Sequence, residues 1–379
     1  MKKIILINIT GGPIIKEDGL AFTEGGLVHA LFALANLASD YDITILCPNP
    51  PGNKEKQIIK HKGVNIICLG SSRWIRWMAS GGVSFLREAN RYIKEERPDI
   101  LMGNGMLASY LLRFAPKGAL KIGIIHHLYH ASPVNSINSS SKYAVWGVGV
   151  LERLGLRLTR LDKIAVANPM VRLVLTKEGF CPDKVMIVGN GVNVEDYSFC
   201  ENKTPFSLIY IGRLNELKRV SSLVEVVSTV REKIPGVIFH IVGDGPKYKE
   251  VRQKIEALDL SRNVFMHGYL SEKEKIKLLS SSAIYVSNSI FEGFGIPLVE
   301  AMATGTIPVV SNIYAHSFIF QGEDVGYLVG STEEMAMRII DLLTNETLRL
   351  KLAKDGRRLV EEKWTWENVS QRYRELIEG

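Results

Sequence analysis

The chain has 379 residues, of which 46% are hydrophobic and 23% charged, with a net charge of +7. These proportions are typical of a globular protein and exclude a disordered or fibrous chain, and the length predicts two α/β lobes rather than one domain. No apolar run reaches the length of a membrane span and the start of the chain lacks a signal-peptide pattern, so we expect a cytoplasmic protein.

Strands that alternate with helices are predicted along the first half of the chain. Short β-branched runs predict the strands, and segments with apolar residues at helical spacing predict the helices. The predicted strands are Lys3–Asn8, Asp42–Cys47, Val64–Leu69, Asp99–Gly103, Lys121–His126, Lys163–Ala167 and Val185–Val188, and the predicted helices are Leu27–Ala38, Ser84–Glu96, Val150–Arg160 and Met170–Glu178. This alternation predicts a parallel, doubly wound sheet.

A glycine pair and a histidine-rich strand end are the candidate binding features of this half. Gly25 and Gly26 lead into a predicted helix, where they let the backbone approach a ligand closely; a loop that only needs positive φ is the alternative. His126 and His127 follow a buried strand, at the edge of a parallel sheet where ligands bind. A structural role is the alternative for a histidine, and this spacing does not predict a metal site.

A second series of strands and helices begins after a turn at Asn190 and a polar stretch, which together mark a domain boundary. Its predicted strands are Phe206–Gly212, Val237–Gly243, Asn263–His267, Ala283–Ser287 and Ile307–Val310, and its predicted helices are Val220–Lys233, Tyr248–Leu258 and Glu272–Ser281. Two such series predict two Rossmann-like lobes with a cleft between them, and ligands are expected beyond the carboxyl ends of the strands.

Two cations follow the first strand of this second series. Gly212 ends the strand, Arg213 comes next and Lys218 lies five residues later. Fixed cations at a strand end can stabilise the charge that develops on a diphosphate leaving group, without any metal. We therefore expect Arg213 and Lys218 to converge on one point above the strand end.

The next two strand ends are candidates for contacts with a nucleotide base. Gly243 and Gly245 follow the second strand, and Tyr269 follows the third, just before a helix that Ser271 is expected to cap. None of these loops has the GxGxxG spacing or the downstream acidic residue of a nicotinamide-binding site, so a dehydrogenase is not indicated.

The strongest signal is a glycine-bounded loop that runs into a predicted helix, with a glutamate before it and another inside the helix. Its candidate ligand-binding residues are Glu292, Gly293, Phe294, Gly295, Ile296 and Glu300. The unpaired N–H groups at such a helix start are a ready phosphate site. We expect Glu300 in the first helical turn as a bidentate acceptor for a ribose diol and Glu292 beside a transferred sugar; for Glu300 alone, a favourable interaction with the helix dipole is the alternative.

Together these motifs resemble the retaining family 4 of the GT-B glycosyltransferases, over almost the full chain. The resemblance implies that Arg213 and Lys218 bind the donor diphosphate, that Glu300 binds the ribose, and that Glu292 with the backbone at positions 294 and 295 binds the donor sugar. It also implies that Gly25 and Gly26 form the family's glycine loop. His126 is similar to the family's histidine near the reaction centre, whereas the role of His127 is open.

The same resemblance implies the reaction and the domain limits. It indicates a first lobe of residues 1–196 with a C-terminal segment, 364–379, that crosses back onto it, and a donor-binding lobe of residues 197–363. The implied chemistry is transfer from a UDP- or GDP-sugar with retention at the anomeric carbon, without a metal or another cofactor. The alternatives are a nucleotide-sugar epimerase of the same fold and a non-catalytic protein that binds sugar nucleotides.

The acceptor is expected to be a saccharide or a lipid-linked molecule. Residues 1–200 contain 24 Lys and Arg against 16 Asp and Glu, and a basic half suits an anionic partner or membrane surface; solubility alone is the alternative. Arg76, between Trp74 and Trp77, fits a peripheral, interfacial segment, although the two tryptophans could instead pack in the lobe. No nucleic-acid-binding module accompanies these residues, so nucleic acid is not an expected partner.

Overall fold

A computed structural model describes residues 1–9, 13–16, 19–21, 25–49, 55–70, 82–126, 128, 150 and 154–379. Contacts divide the chain into two compact units, residues 1–190 with 366–379 and residues 191–365. These limits differ from the predicted ones at both points where the chain passes from one unit to the other. The reason is packing, because Val192, Tyr197 and Trp364 lie in one buried cluster with the core of the second unit.

The first unit is built on an eight-stranded sheet with the order β10-β9-β8-β7-β1-β4-β6-β5 and a separate pair, β2 with β3. Its strands are β1 Lys2–Asn8, β2 Ile14–Lys16, β3 Gly19–Ala21, β4 Tyr41–Pro48, β5 Gln57–His61, β6 Val64–Leu69, β7 Ile100–Asn104, β8 Leu120–Ile125, β9 Lys163–Val166 and β10 Val185–Ile187. The edge strand β5 pairs antiparallel with β6, so the sheet is mixed there and not wholly parallel as predicted. Neither β5 nor the β2–β3 pair was predicted from the sequence.

Among the described residues, the helices with defined bounds in this unit before its C-terminal segment are α1 Gly25–Ala35, α2 Gly82–Glu96, α3 Met106–Leu111 and α4 Pro169–Lys177. Residues 154–159 are also helical, within the segment predicted as a helix. Gly25 and Gly26 are the first residues of α1, two positions ahead of the predicted start. Asn168 caps α4 because its side chain accepts a hydrogen bond from the backbone N–H of Val171.

The second unit has a six-stranded parallel sheet with the order β13-β12-β11-β14-β15-β16. Its elements are β11 Ser207–Ile211, α5 Val220–Lys233, β12 Ile238–Val242, α6 Tyr248–Ala257, β13 Val264–Gly268, α7 Glu272–Ser281, β14 Ile284–Ser287, α8 Ile296–Ala303, β15 Ile307–Ser311, α9 Tyr314–Phe320, β16 Tyr327–Val329, α10 Thr332–Thr344 and α11 Glu346–Lys363. Every residue of the central strand β11 is buried, which suits a parallel strand covered by helices on both faces. The predicted cap of α7 by Ser271 is confirmed, and Ser271 forms a capping box with Glu274.

A further helix, α12, spans Trp366–Glu378 and belongs to the first unit. Its indole at Trp366 stacks on Phe32 of α1, with 5.6 Å between ring centroids. The Ser370 hydroxyl donates a hydrogen bond of 2.7 Å to the carbonyl of Ala33. Trp364 and Trp366 are both buried, as expected for packing residues.

Within the described residues, no helix is long and apolar enough to cross a bilayer. Cys47 and Cys68 are buried on paired strands with 3.6 Å between their sulfur atoms, whereas Cys181 is exposed and Cys200 half-buried.

Candidate functional site

The carboxyl ends of three neighbouring strands in the second unit are bound together by backbone hydrogen bonds. The N–H of Gly212 donates to the carbonyl of Val242 over 3.0 Å, and the N–H of Gly243 donates to the carbonyl of Gly268 over 2.7 Å. A Cβ on Gly243 would lie 2.1 Å from the carbonyl oxygen of Gly212, and Gly243 has a φ of 128°. Only glycine permits this approach, so the three loops stay close together.

The loops after β12 and β13 carry the other predicted base-contacting residues. The Asp244 carboxylate accepts a hydrogen bond from the N–H of Gly245, and a Cβ on Gly245 would lie 2.3 Å from the carbonyl oxygen of Leu214. Tyr269 is 80% exposed. Its ring therefore lies at the surface of this edge, where an aromatic face suits stacking on a base.

Lys218 and Glu292 form an ion pair across two of these loops. The Lys218 Nζ lies 2.5 Å from the Glu292 Oε1, and the two side chains are 18% and 16% exposed. The Ser289 hydroxyl donates to the same oxygen over 2.8 Å, and a backbone hydrogen bond of 2.9 Å from Ile290 to Leu217 joins the loops. Two donors thus hold Glu292 through one oxygen, while its Oε2 has no hydrogen bond within the described residues.

Arg213 differs from Lys218 in its surroundings. Its side chain is exposed and forms no ion pair within the part of the chain that the structure describes. The ammonium of Lys218 pairs with Glu292. The convergence of Arg213 and Lys218 on one point stays a prediction. The exposed guanidinium is a planar donor group suited to phosphate oxygens.

The start of α8 has the geometry of an anion site. Gly295 is its N-cap with a φ of 105°, a proline lies in the first helical positions, and no side chain caps the helix start. Phe294 is 4% exposed and packs edge-on against Trp364, so its side chain belongs to the core. Ile296 is 38% exposed, and Gly293 lies in the loop between Glu292 and the helix.

His316 is a residue of this edge that the sequence analysis missed. It is buried, and its Nδ1–H donates a hydrogen bond of 2.7 Å to the carbonyl of Ser311. A Cβ on Gly295 would lie 3.7 Å from its ring. Burial lowers the pKa of His316, against an opposing influence of Glu292, which favours the neutral ring. No helix was predicted around His316. Its only local signal was a polar, titratable residue within an otherwise mostly apolar segment.

Glu300 lies in a buried cluster and not in the first turn of α8, which has no acidic residue. The alternative role for Glu300, a favourable interaction with the helix dipole, therefore loses its basis, because that interaction is confined to the first turn. The Tyr197 hydroxyl lies 2.7 Å from the Glu300 Oε1, and the Lys275 Nζ lies 2.9 Å from the same oxygen. Glu272 contacts both the tyrosine and the lysine over 2.8 Å. Burial alone would lower the pKa of Lys275, but Glu300 and Glu272 raise it overall.

Lys275 and Tyr197 were also missed. A signal for Lys275 was available, because it falls on the half-buried face of α7 with Ile276 and Leu279, where an unpaired lysine is rare. Tyr197 lies in the polar stretch that marked the domain boundary, and nothing in that pattern points to Glu300.

In the first unit, His126 ends a row of polar side chains at the carboxyl edge of the sheet. The Asn104 amide donates to the Asn8 side-chain oxygen over 2.9 Å, and the Asn104 Oδ1 lies 2.8 Å from the His126 Nε2. Because an amide oxygen only accepts hydrogen bonds, the His126 Nε2 carries a hydrogen atom. Adjacent strand ends therefore fix the orientation of this ring.

A second histidine, His29 in α1, lies beside His126 with 5.0 Å between ring centroids. Its Nδ1 contacts the Asn190 side-chain oxygen, and its Nε2 lies 2.9 Å from the Tyr373 hydroxyl. Burial lowers the pKa of His29 to about 4, although the bond to Asn190 acts in the opposite direction. His29 is therefore neutral near pH 7. It lies one turn beyond Gly26, which links the predicted glycine pair to the predicted histidine.

His127, Trp74, Arg76 and Trp77 lie outside the described residues. Across the described ranges, no group of three or more His, Cys, Asp and Glu side chains is arranged to hold a metal ion.

Two family models match the chain, one in each half. The model of Glycosyltransferase Family 4 matches residues 24–196, and the model of Glycosyl transferases group 1 matches residues 195–359. The poly(ribitol-phosphate) alpha-N-acetylglucosaminyltransferase of Staphylococcus aureus is 26% identical over 294 residues. That match covers 76% of this chain and 57% of the relative, so the chain corresponds to little more than half of that enzyme's length.

Solved structures show the same fold at low sequence identity. Sucrose-phosphate synthase from Thermosynechococcus elongatus has a TM-score of 0.76 at 20% identity, covering 100% of this chain and 99% of that one. Anabaena Alr3699/HepE, solved with UDP and glucose, has a TM-score of 0.73 at 14% identity with the same coverage. These likenesses establish the two-lobed architecture.

Proposed function

The chain belongs to the group 1 glycosyl transferases and has the GT-B fold, and we propose that it transfers a sugar from a nucleoside diphosphate sugar to a saccharide or lipid-linked acceptor. The observation that carries the proposal is the Lys218–Glu292 ion pair beside the uncapped start of α8. It places a half-buried cation, a carboxylate and a helix start without a side-chain cap on adjoining loops. A pyrophosphate and a sugar need these groups together.

In the proposed reaction, the bond between the anomeric carbon and the diphosphate oxygen breaks, and negative charge builds on the diphosphate. Arg213, Lys218 and the α8 N–H groups stabilise that charge, which is the step where fixed donors lower a barrier most. The acceptor oxygen attacks from the face that the diphosphate leaves, so the configuration is retained, and its proton passes to the departing phosphate oxygen. Glu292 keeps Oε2 for a sugar hydroxyl, and His126 contacts the sugar near the reaction centre. No metal takes part.

The donor base is assigned to uridine or guanosine, with UDP supported by its presence in the HepE structure. The backbone at Gly243 and Gly245 and the exposed ring of Tyr269 are the proposed contacts of the base. The acceptor is proposed to be anionic or to lie at a membrane surface. The name of the Staphylococcus aureus relative describes a poly(ribitol-phosphate) acceptor, and the first 200 residues of this chain carry an excess of eight positive charges, 24 against 16.

The test is a turnover assay with purified protein and UDP- and GDP-sugars, with and without polyol phosphate oligomers or anionic vesicles that carry lipid-linked saccharides. Release of nucleoside diphosphate that requires an acceptor supports transfer. Conversion of donor alone into its epimer identifies the epimerase instead, and tight donor binding without turnover identifies a binding protein. The anomeric configuration of the product, read by NMR, tests retention. Unchanged turnover in EDTA is expected.

A further inference from the structure

His316 lies beside the start of α8 with one ring nitrogen unused. Its Nδ1–H donates to the carbonyl of Ser311 over 2.7 Å, so the hydrogen of the neutral ring is on that nitrogen. Its Nε2 has no hydrogen bond within the described residues. The atoms nearest to the place where a Gly295 side chain would begin are a methyl carbon of Ile319, at 3.4 Å, and the Cδ2 and Nε2 of His316, at 3.7 and 4.0 Å. The unprotonated side of the ring therefore faces the N-cap of α8.

The start of α8 offers few backbone donors to an anion. Pro297 has no N–H, and the N–H of Leu298 donates to the carbonyl of Gly295 over 3.0 Å. Among the first three residues of the helix, Ile296 is the one that keeps an N–H without a hydrogen bond in the part of the chain described. Other helices usually begin with several such groups. An anion bound here therefore depends more than usual on side-chain charge.

The cations expected at this site do not balance the charge of a nucleotide sugar. Lys218 pairs with Glu292, so these two charges largely cancel. Arg213 is the member of the predicted cation pair that has no ion pair within the described residues. A nucleotide sugar carries a negative charge on each of its two phosphates, and buried or half-buried charges need partners. One phosphate charge therefore lacks a partner.

We propose that His316 supplies this partner by taking up a proton at Nε2 when a nucleotide sugar binds at the start of α8. This rests on the proposed function and extends it, because donor binding then depends on pH. Without a ligand, burial lowers the pKa of His316, with Lys218 acting in the same direction and Glu292 in the opposite one. A diphosphate near the ring raises that pKa, since opposite charges attract strongly where water is excluded. The effect needs proximity and not direct contact.

The other charged groups of the surrounding elements are already paired. Glu292 and Lys218 neutralise each other on the loops before α8, and Glu300 of α8 pairs with Lys275. Tyr314, the other titratable residue of α9, is exposed. The proton therefore belongs on the imidazole. Because the pKa of this ring is higher in the complex than in the free protein, affinity rises as the pH falls between the two pKa values, by at most about tenfold per pH unit for one proton.

The first experiment is calorimetry of the wild-type protein with UDP- and GDP-sugars at pH 8 and pH 6. Nucleotide sugars are used because the terminal phosphate of a free nucleoside diphosphate itself titrates at a pKa of about 6. The sugar that binds should do so about tenfold more tightly at pH 6. The binding enthalpy should vary with the ionisation enthalpy of the buffer, in the direction of proton uptake. Equal affinity at both pH values would overturn the inference and leave the proposed function intact, whereas absence of binding by every nucleotide sugar would remove both.

The second experiment identifies the group that takes up the proton, because His126 is also proposed to contact the donor. His316→Gln should bind the sugar nucleotide with affinities that agree within about twofold at pH 8 and pH 6. His267→Gln, at an exposed position of the same unit, is the control and should keep the wild-type difference. Thermal unfolding checks that the variants are folded, and His316→Phe, which retains a ring, replaces His316→Gln if that variant is not. A wild-type pH dependence in a folded His316 variant contradicts the proposal.

Discussion

The two units carry different chemistry on equivalent edges of their sheets. At the carboxyl edge of the second sheet, buried or half-buried charges occur in pairs, Lys218 with Glu292 and Lys275 with Glu300. At the same edge of the first sheet, the polar groups are amides and imidazoles, Asn104 with His126 being the clearest contact. One type of fold thus supports two kinds of polar edge. The charged edge suits a pyrophosphate, and the amide–imidazole edge suits hydroxyl groups.

The largest effect should come from removing the cation of the charged edge. Lys218→Ala is expected to lower turnover about 10²–10³-fold, the range seen when a fixed donor to developing negative charge is deleted. Steady-state kinetics measure it. Lys254→Ala is the matched control, since Lys254 pairs with Glu225 on exposed helix surface. Turnover of Lys218→Ala within threefold of wild type would mean that the charged edge does not serve the leaving group.

His29 should make the stability of the first unit respond to mild acid. The pKa of His29 is lowered to about 4 from 6.5, so the fold favours the neutral ring and is most stable above pH 6.5. Between pH 6.5 and pH 4, His29 is protonated in the unfolded chain but stays neutral in the folded protein. The free energy of unfolding therefore drops by about 2–3 kcal/mol over this range. Hydrogen exchange of residues 25–35, corrected for intrinsic rates, measures this. His29→Gln should lack this part of the pH dependence; an identical profile for both proteins would contradict it.

A smaller effect should separate the two edges by function. Asn104→Ala removes the acceptor that fixes the His126 ring, so turnover should fall about tenfold while the affinity for nucleoside diphosphate, which the second unit is proposed to bind, stays unchanged. Kinetics and calorimetry on one preparation give both values. Asn36→Ala, at an exposed site of the same unit, should change neither. A loss of nucleotide affinity as large as the loss of turnover would contradict the proposed separation of function between the two edges.

The smallest effect should be on the stability of the helix that carries Lys275. Ser271→Ala removes the side-chain cap of α7, the helix that carries Lys275, and should destabilise the second unit by about 1 kcal/mol. Urea denaturation measures it, with Ser280→Ala inside the same helix as the control. A loss no larger than that of the control would show that the cap is dispensable.

The sequence predicted most of the second unit because its signals are local. The helices Val220–Lys233 and Glu272–Ser281 match their predicted bounds, since buried periodicity and a capping box mark them. The edge strand β5 and the three-residue β16 were missed, because short strands owe their existence to a neighbour and not to their own pattern.

The site was predicted where its residues follow one another along the chain and missed where they meet across it. Glu292 and the loop into α8 share one segment, and their grouping is visible in the sequence. Lys275 and Tyr197 reach Glu300 from 25 and 103 positions away, a proximity that no local pattern encodes. The assignment of Glu300 to the first turn was wrong for a related reason: the helix begins at Ile296, so position 300 belongs to the second turn.

The division of the chain also orders events during synthesis. Residues 191–365 form one continuous unit, whereas the first unit is completed by residues 366–379, whose helix covers α1. A nascent chain therefore carries the apolar side of α1, including Phe32, without its cover until the whole second unit has been translated. At about 5–20 residues per second, that interval lasts on the order of ten to forty seconds. The first unit, although made first, is the second to be finished.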